Sequence, residues 1–176
     1  PADSINWDDA AYDVHWGSSQ TYDYFRDQHQ RESFDGQGGQ ILSFVHWGAK
    51  SYTNAFWNVY YAGYGDGNGN PIVDIDIVGH EITHGVVRNA ADLVYINEGG
   101  ALNEGFADIF GNAVQHFAFP GSFDWRVGEF SGAVRDMSAP ISFGDPAYYR
   151  GANWFSGTFD NEIGRASCRE RVFPVV

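Results

Sequence analysis

The pentapeptide His80-Glu81-Ile82-Thr83-His84 constrains this chain more than any other feature, because its spacing carries chemistry only on a helix. Residues i and i+4 lie one turn apart on one helical face, so both imidazoles can reach a single metal ion while Glu81 projects beside it. The flanks agree: Ile75, Val78, Ile82 and Val86 recur every three or four residues and predict a helix over about 74–89. Two solvated histidines would show the same spacing, so a third ligand decides between the readings. A catalytic zinc site needs three protein ligands and one open position. A second amphipathic helix is predicted over 100–117, with Leu102, Phe106, Ile109, Phe110, Ala113, Val114 and Phe117 at helical spacing. It carries Glu104 and Asp108, four residues apart on one face and set among apolar neighbours, where solvated carboxylates would be poorly placed. One of them could bind metal while the other accepts the N–H of a ligand histidine.

Composition narrows the partners. Ten Lys+Arg stand against 23 Asp+Glu, a formal net charge of −13, and the only lysine is Lys50. Such a chain has little to offer phosphates or anionic lipid, so nucleic acid and membrane surfaces are excluded as partners. No stretch approaches the ~18 uninterrupted apolar residues of a membrane helix. The single cysteine, Cys168, forbids an intrachain disulfide and a cysteine-based metal site, which leaves histidine and carboxylate as ligands. Pro1 opens the chain without a basic or apolar leader, so any signal peptide is expected outside this stretch.

Residues 1–73 read as a β-rich lobe with one helix over about 21–30, and residues 74–161 as the helix pair and the start of a helical lobe. The expected class is therefore α+β. Asp35-Gly36-Gln37-Gly38-Gly39 is expected to be a hairpin turn and not a phosphate loop, since no Lys-Ser/Thr follows it. Beyond Pro120, Gly, Pro and aromatic residues without a period suggest loop with short elements.

Several segments together resemble the thermolysin-like neutral metallopeptidases, zinc endopeptidases of the gluzincin type. They are Asn54-Ala55-Phe56-Trp57-Asn58, Tyr64-Gly65-Asp66-Gly67, Asp76-Ile77-Val78-Gly79 leading into the pentapeptide, Gly100-Ala101-Leu102-Asn103-Glu104, Asp108-Ile109-Phe110-Gly111 and Arg135-Asp136-Met137-Ser138. The resemblance runs over about residues 1–161. It implies that His80, His84 and Glu104 hold zinc, that Asp108 supports a ligand histidine, and that Glu81 moves a proton from water to the leaving amine. By the same resemblance Tyr95 is a catalytic hydrogen-bond donor, and Asn54, the Ala55 carbonyl and Arg135 hold the substrate backbone. Asp76, Asp124 and Glu129 match acids of a calcium site, whereas Gln115, Arg126 and Phe130 depart from it, so one calcium is expected and not two. Peptide or protein substrates, a propeptide in the precursor and secretion are further implications.

The resemblance breaks near the end. The family pattern reads Asp-Asn-Gly-Gly-Val-His, with the Asp supporting a second catalytic histidine; here Asp160-Asn161 is followed by other residues and Arg165 stands in the histidine's place. Residues 162–176 read like an in-frame translation of a sequencing adapter, and are expected to be a non-native tail. The isolated chain is then expected to be weakly active or inactive. The rival expectation is a non-catalytic pseudo-protease, a calcium- or zinc-binding module, against which the intact Glu81 argues.

Overall fold

The computed structural model describes residues 8–122, 124–132, 135–148 and 151–153. Asp8 starts the first helix, α1 (Asp9–His29): its backbone is extended and its side chain accepts the Ala10 amide, one of the donors that a helix start leaves unpaired. Gln30, in the left-handed conformation at φ 52°, ends it. The buried stripe is Ala10, Val14, Gly17, Thr21 and Phe25. The helix expected over 21–30 is therefore only the second half of α1. Its first half escapes a hydrophobic-period search because the stripe there is made of small residues and Gly17-Ser18-Ser19 looks like a breaker. The glycine instead marks a close crossing, since a Cβ on Gly17 would lie 3.1 Å from Val78 of the next helix.

Three short strands follow: β1 (Ser43–Phe44), β2 (Ala55–Asn58) and β3 (Tyr61–Tyr64), in the order β1-β3-β2. β1 runs parallel to β3, and β2 antiparallel to it. Pairing of Ala55 with Tyr64 and of Trp57 with Ala62 puts these four side chains on the inner face. Among the described residues β2 is paired on one side only, so its other edge is open. The hairpin is the β2–β3 connection, where Val59 adopts φ 40°. Residues 33–36, by contrast, form a turn after α1 with no strand on either side. There Asp35 accepts the amides of Gln37 and Gly39, so the expected hairpin at 36–39 is a side-chain-closed loop.

The helix pair carries the rest. α2 (Ile75–Ala91) and α3 (Asn97–Ala118) run close to the expected bounds. They meet at glycines: a Cβ on Gly79 would lie 3.1 Å from the Gly111 Cα, and one on Gly111 only 2.4 Å from the Asp76 carbonyl oxygen. This near-contact of backbones, next to His80 and one turn beyond Asp108, lets short side chains on α3 reach histidines on α2.

It also sets which face of α3 is covered. The face buried against α2 is small and polar, with Asn103, Glu104, Ala107, Asp108, Asn112, Val114 and Gln115, whereas Leu102, Phe106 and Ile109 are 54%, 42% and 49% exposed. An apolar period alone cannot say which face a partner helix takes, and here the polar face is taken because it meets histidines.

α1, α2 and the sheet enclose one core of Val14, Ala55, Ala62, Tyr64, Ile77, Val78, Ile82 and Val127. Full burial of Val78 alone contributes about 1.5–3 kcal/mol. A two-stranded ribbon, β4 (Arg126–Val127) with β5 (Arg135–Asp136), folds back beside α3 and delivers Arg135 to it.

Candidate metal centre

His80 and His84 rise one turn apart from the buried face of α2, and their rings stand at 89° with centroids 4.6 Å apart. Their outer nitrogens are both engaged. His80 Nδ1 lies 2.8 Å from Asp108 Oδ1, and His84 Nδ1 lies 2.7 Å from Asn103 Oδ1. Each partner atom is an acceptor, so each Nδ1 donates and each Nε2 is left to face the centre, where a neutral ring offers a lone pair to a metal. Burial lowers the His84 pKa and keeps that ring neutral, the form a metal ligand requires.

The two Nε2 atoms are 3.0 Å apart; Glu104 Oε2 lies 3.4 Å from that of His80, and Glu104 Oε1 lies 3.6 Å from that of His84. Two ring nitrogens and both oxygens of one carboxylate thus converge in a place where Glu104 is 0% and His80 2% exposed. Tetrahedral zinc with ligand bonds of about 2.0–2.2 Å separates its ligand atoms by roughly 3.3–3.5 Å, close to the spacing found. Glu81 is buried beside them, its carboxylate within 4.8 Å of both histidine nitrogens. The donor set therefore fits zinc.

The remaining sequence-predicted residues surround this cluster. Asp108 Oδ1 also accepts a 2.7 Å bond from Arg135 Nη2, so one carboxylate oxygen joins His80 to a guanidinium that is 8% exposed. Tyr95 sits with its ring 6.0 Å from that of His84, nearly perpendicular. Ala55 opens the free-edged strand β2, and the Asn54 carbonyl before it accepts the Gly65 amide. Asp160 lies outside the described residues.

Behind α2 a second group of acids gathers. Asp74, Asp76 and Glu129 place carboxylate oxygens within 4.8 Å of one another. Asp76 accepts the amides of Ile77 and Gly128, yet burial, reinforced by the neighbouring acids, pushes its pKa up to about 7. Asp124 lies against Glu129, whose pKa burial raises first and Asp124 further, but it is not one of the three. Gln115 is 6% exposed and its Oε1 meets no hydrogen-bond donor among the described residues, while its amide donates to Glu129. An acceptor-only cluster with an orphaned amide oxygen fits a hard cation that takes oxygen ligands.

Asn103, Asp74 and Gln115 were not singled out as site residues from sequence. Asn103 stands next to Glu104 in sequence but about 100° round the helix, so only the crossing of α2 and α3 brings it to His84. Asp74 reads as an ordinary helix cap, but its carboxylate leaves the helix and accepts the Phe130 amide at 2.7 Å and the Ser131 hydroxyl instead.

Two imidazoles and a glutamate on crossed helices, with a second glutamate beside them, are a set of groups that could hold one metal ion. The chain belongs to the thermolysin metallopeptidase family: residues 2–88 match the model of that family's catalytic domain, and residues 91–163 that of its alpha-helical domain. It is 42% identical over 169 residues to the thermostable neutral protease NprT of Geobacillus stearothermophilus, an alignment that covers 90% of this chain and 30% of that protein. To a bacillolysin of Bacillus cereus it is 40% identical over 166 residues, 88% of this chain and 29% of that one. Among solved structures it is similar to the precursor of protealysin, a metalloproteinase from Serratia proteamaculans, with a TM-score of 0.72 and 37% identity over 79% of this chain and 47% of that one. The chain thus spans about 30% of the length of the curated relatives it matches.

Proposed function

We propose that this chain is part of a zinc-dependent endopeptidase in which His80, His84 and Glu104 hold the metal. The observation that carries the reading is the convergence of two histidine Nε2 atoms and a buried carboxylate at ligand-to-ligand spacing. Zinc held there would supply polarisation of the scissile carbonyl and activation of water. Glu81 would accept a proton from the attacking water and return it to the leaving amine. Tyr95, beside His84, donates a hydrogen bond to the oxygen on which charge develops. The open edge of β2 pairs with the substrate backbone as an added strand through Asn54 and the Ala55 carbonyl, a geometry that β-augmentation requires. Arg135 orients the Asp108 carboxylate and faces the substrate backbone. The substrates are peptides or proteins, the whole protein is secreted, and a propeptide covers the cleft in its precursor, in keeping with the precursor form of the similar protealysin.

Calcium binds at Asp76 and Glu129, with Asp124 alongside. One ion is favoured, because Gln115 and Phe130 offer no second set of charges.

Residues 1–73 and 74–161 are the two working parts, and residues 162–176 are a non-native tail. With Arg165 in place of the family histidine and the Leu102, Phe106 and Ile109 face of α3 bare, the 176-residue chain alone cleaves peptides weakly or not at all. The second reading, a pseudo-protease that only binds metal, is favoured by the same Arg165. Cleavage of an internally quenched peptide by the whole protein separates the two: zinc-dependent turnover that Glu81→Gln abolishes supports the endopeptidase, and zinc binding without turnover supports the rival.

A further inference from the structure

A cluster of titratable groups lies outside the metal centre, at the start of α1 and just after β1 and β3. His46 follows β1 in a left-handed backbone conformation, φ 56°, uncommon for a residue other than glycine and one that the surrounding contacts must hold. Its Nδ1 lies 2.5 Å from Asp66 Oδ1, in the turn after β3, and its Nε2 lies 3.0 Å from Asp8 Oδ2, on the cap of α1. Both neighbours are carboxylates and accept only. A neutral imidazole has one donor, so one contact would set two acceptors face to face; an imidazolium donates at both nitrogens and satisfies both. The two carboxylates flank opposite edges of the ring, and no single metal ion can replace the proton in joining them.

The contacts on either side give the arrangement its reach. The other oxygen of Asp8 accepts the Ala10 amide, and the Asp8 carbonyl accepts the Tyr12 amide, so the aspartate that meets His46 is also what starts α1. The turn that carries Asp66 receives the segment leading to β2: the Gly65 amide donates to the Asn54 carbonyl and the Gly67 amide to the Tyr52 carbonyl. The neighbouring Trp47 amide donates to the Tyr64 carbonyl. Three segments distant in sequence are therefore joined through one ring.

We propose that His46 is a protonation-dependent clasp that fastens the start of α1 and the approach to the open edge of β2 onto the 65–67 turn. The charged groups facing it are Asp66 and Asp8, and hydrogen bonding to Asp66 first, then to Asp8, raises its pKa above the ordinary histidine value. A raised folded pKa means that the clasp contributes fully below the ordinary value near 6.5 and is lost as pH rises through the folded one. All three side chains are partly exposed, so the effect is local opening of these segments and not global unfolding.

The test is NMR on the full chain, with the His46 ring signal assigned by its disappearance in His46→Gln. The clasp requires that signal to titrate above pH 6.5 and its midpoint to fall in both Asp8→Asn and Asp66→Asn. Hydrogen exchange supplies the second readout: protection of the Tyr12 and Gly67 amides, corrected for intrinsic rates, falls as pH rises through the same midpoint. The fall is about tenfold for each unit by which the His46 midpoint is raised. In His46→Gln the protection is low and independent of pH over that range. A His46 midpoint at or below the ordinary value overturns the proposal, and so does an unchanged pH-dependent loss of protection in His46→Gln, which assigns the effect to another group.

Discussion

Replacing Asp108 by asparagine keeps the shape of the side chain and removes its charge, and the structure sets the cost. Asp108 is 2% exposed, and its Oδ1 serves two donors at once, His80 Nδ1 at 2.8 Å and Arg135 Nη2 at 2.7 Å. Charge-assisted hydrogen bonds contribute about 1.5–3 kcal/mol each, and the amide retains only part of each. Arg135 cannot shed its charge and remains in a buried place, and removing one partner of a buried ion pair costs about 3–5 kcal/mol. Both routes lead to a loss of about 3–4 kcal/mol, a large share of the ~5–15 kcal/mol that holds a domain together. With a urea slope of about 2 kcal/mol per molar, the unfolding midpoint in EDTA falls by roughly 1.5–2 M. Arg135→Met alone is also destabilising, but in the double variant the two losses are less than additive, because no unbalanced charge remains. Zinc affinity falls about 10- to 100-fold as the His80 ring loses its orientation. A loss below about 1 kcal/mol with additive single variants would refute the reasoning.

Three further outcomes follow from the same geometry. Glu81→Gln in the whole protein retains zinc at full stoichiometry but loses about 10²- to 10⁴-fold in kcat, measured on a quenched peptide; loss of zinc instead would place Glu81 among the ligands. Gly111→Ala sets a Cβ 2.4 Å from the Asp76 carbonyl oxygen, so the α2–α3 crossing must widen, with about 1–3 kcal/mol of lost stability and weaker zinc binding; thermal unfolding and zinc titration check both, and an unperturbed variant contradicts the crossing described. Millimolar calcium raises the Tm of the zinc-loaded protein, and Asp76→Asn abolishes that rise; a Tm indifferent to calcium removes the cation from the acidic cluster.

The parts of the fold that sequence reveals are those where chemistry demands a period. His80 and His84 fix α2, and a glutamate at 104 with an aspartate at 108 fixes the polar face of α3, because buried carboxylates have to point at something positive. The α+β class follows from the same contrast between an aromatic, turn-rich first part and a helical second one. The first half of α1 stayed hidden because its contact face is built from Ala10, Val14 and Gly17, small residues chosen for closeness and not for hydrophobic area. The orientation of α3 was legible through its carboxylates and not through its apolar period, since Leu102, Phe106 and Ile109 carry a strong helical period and yet remain exposed. Asp74 was concealed by a residue type that usually caps helices, and only three-dimensional closeness shows its carboxylate turned to the 130–131 loop.

The central claim is the ligand set, and X-ray absorption at the zinc edge tests it most directly. The chain, stripped with chelator and reloaded with one equivalent of zinc, is expected to show two imidazole nitrogens at about 2.0–2.1 Å and carboxylate oxygen at about 2.0–2.2 Å. His84→Ala should remove one imidazole contribution, and Glu104→Ala should replace the carboxylate with solvent. A zinc shell without imidazole, or one that neither substitution changes, contradicts the account.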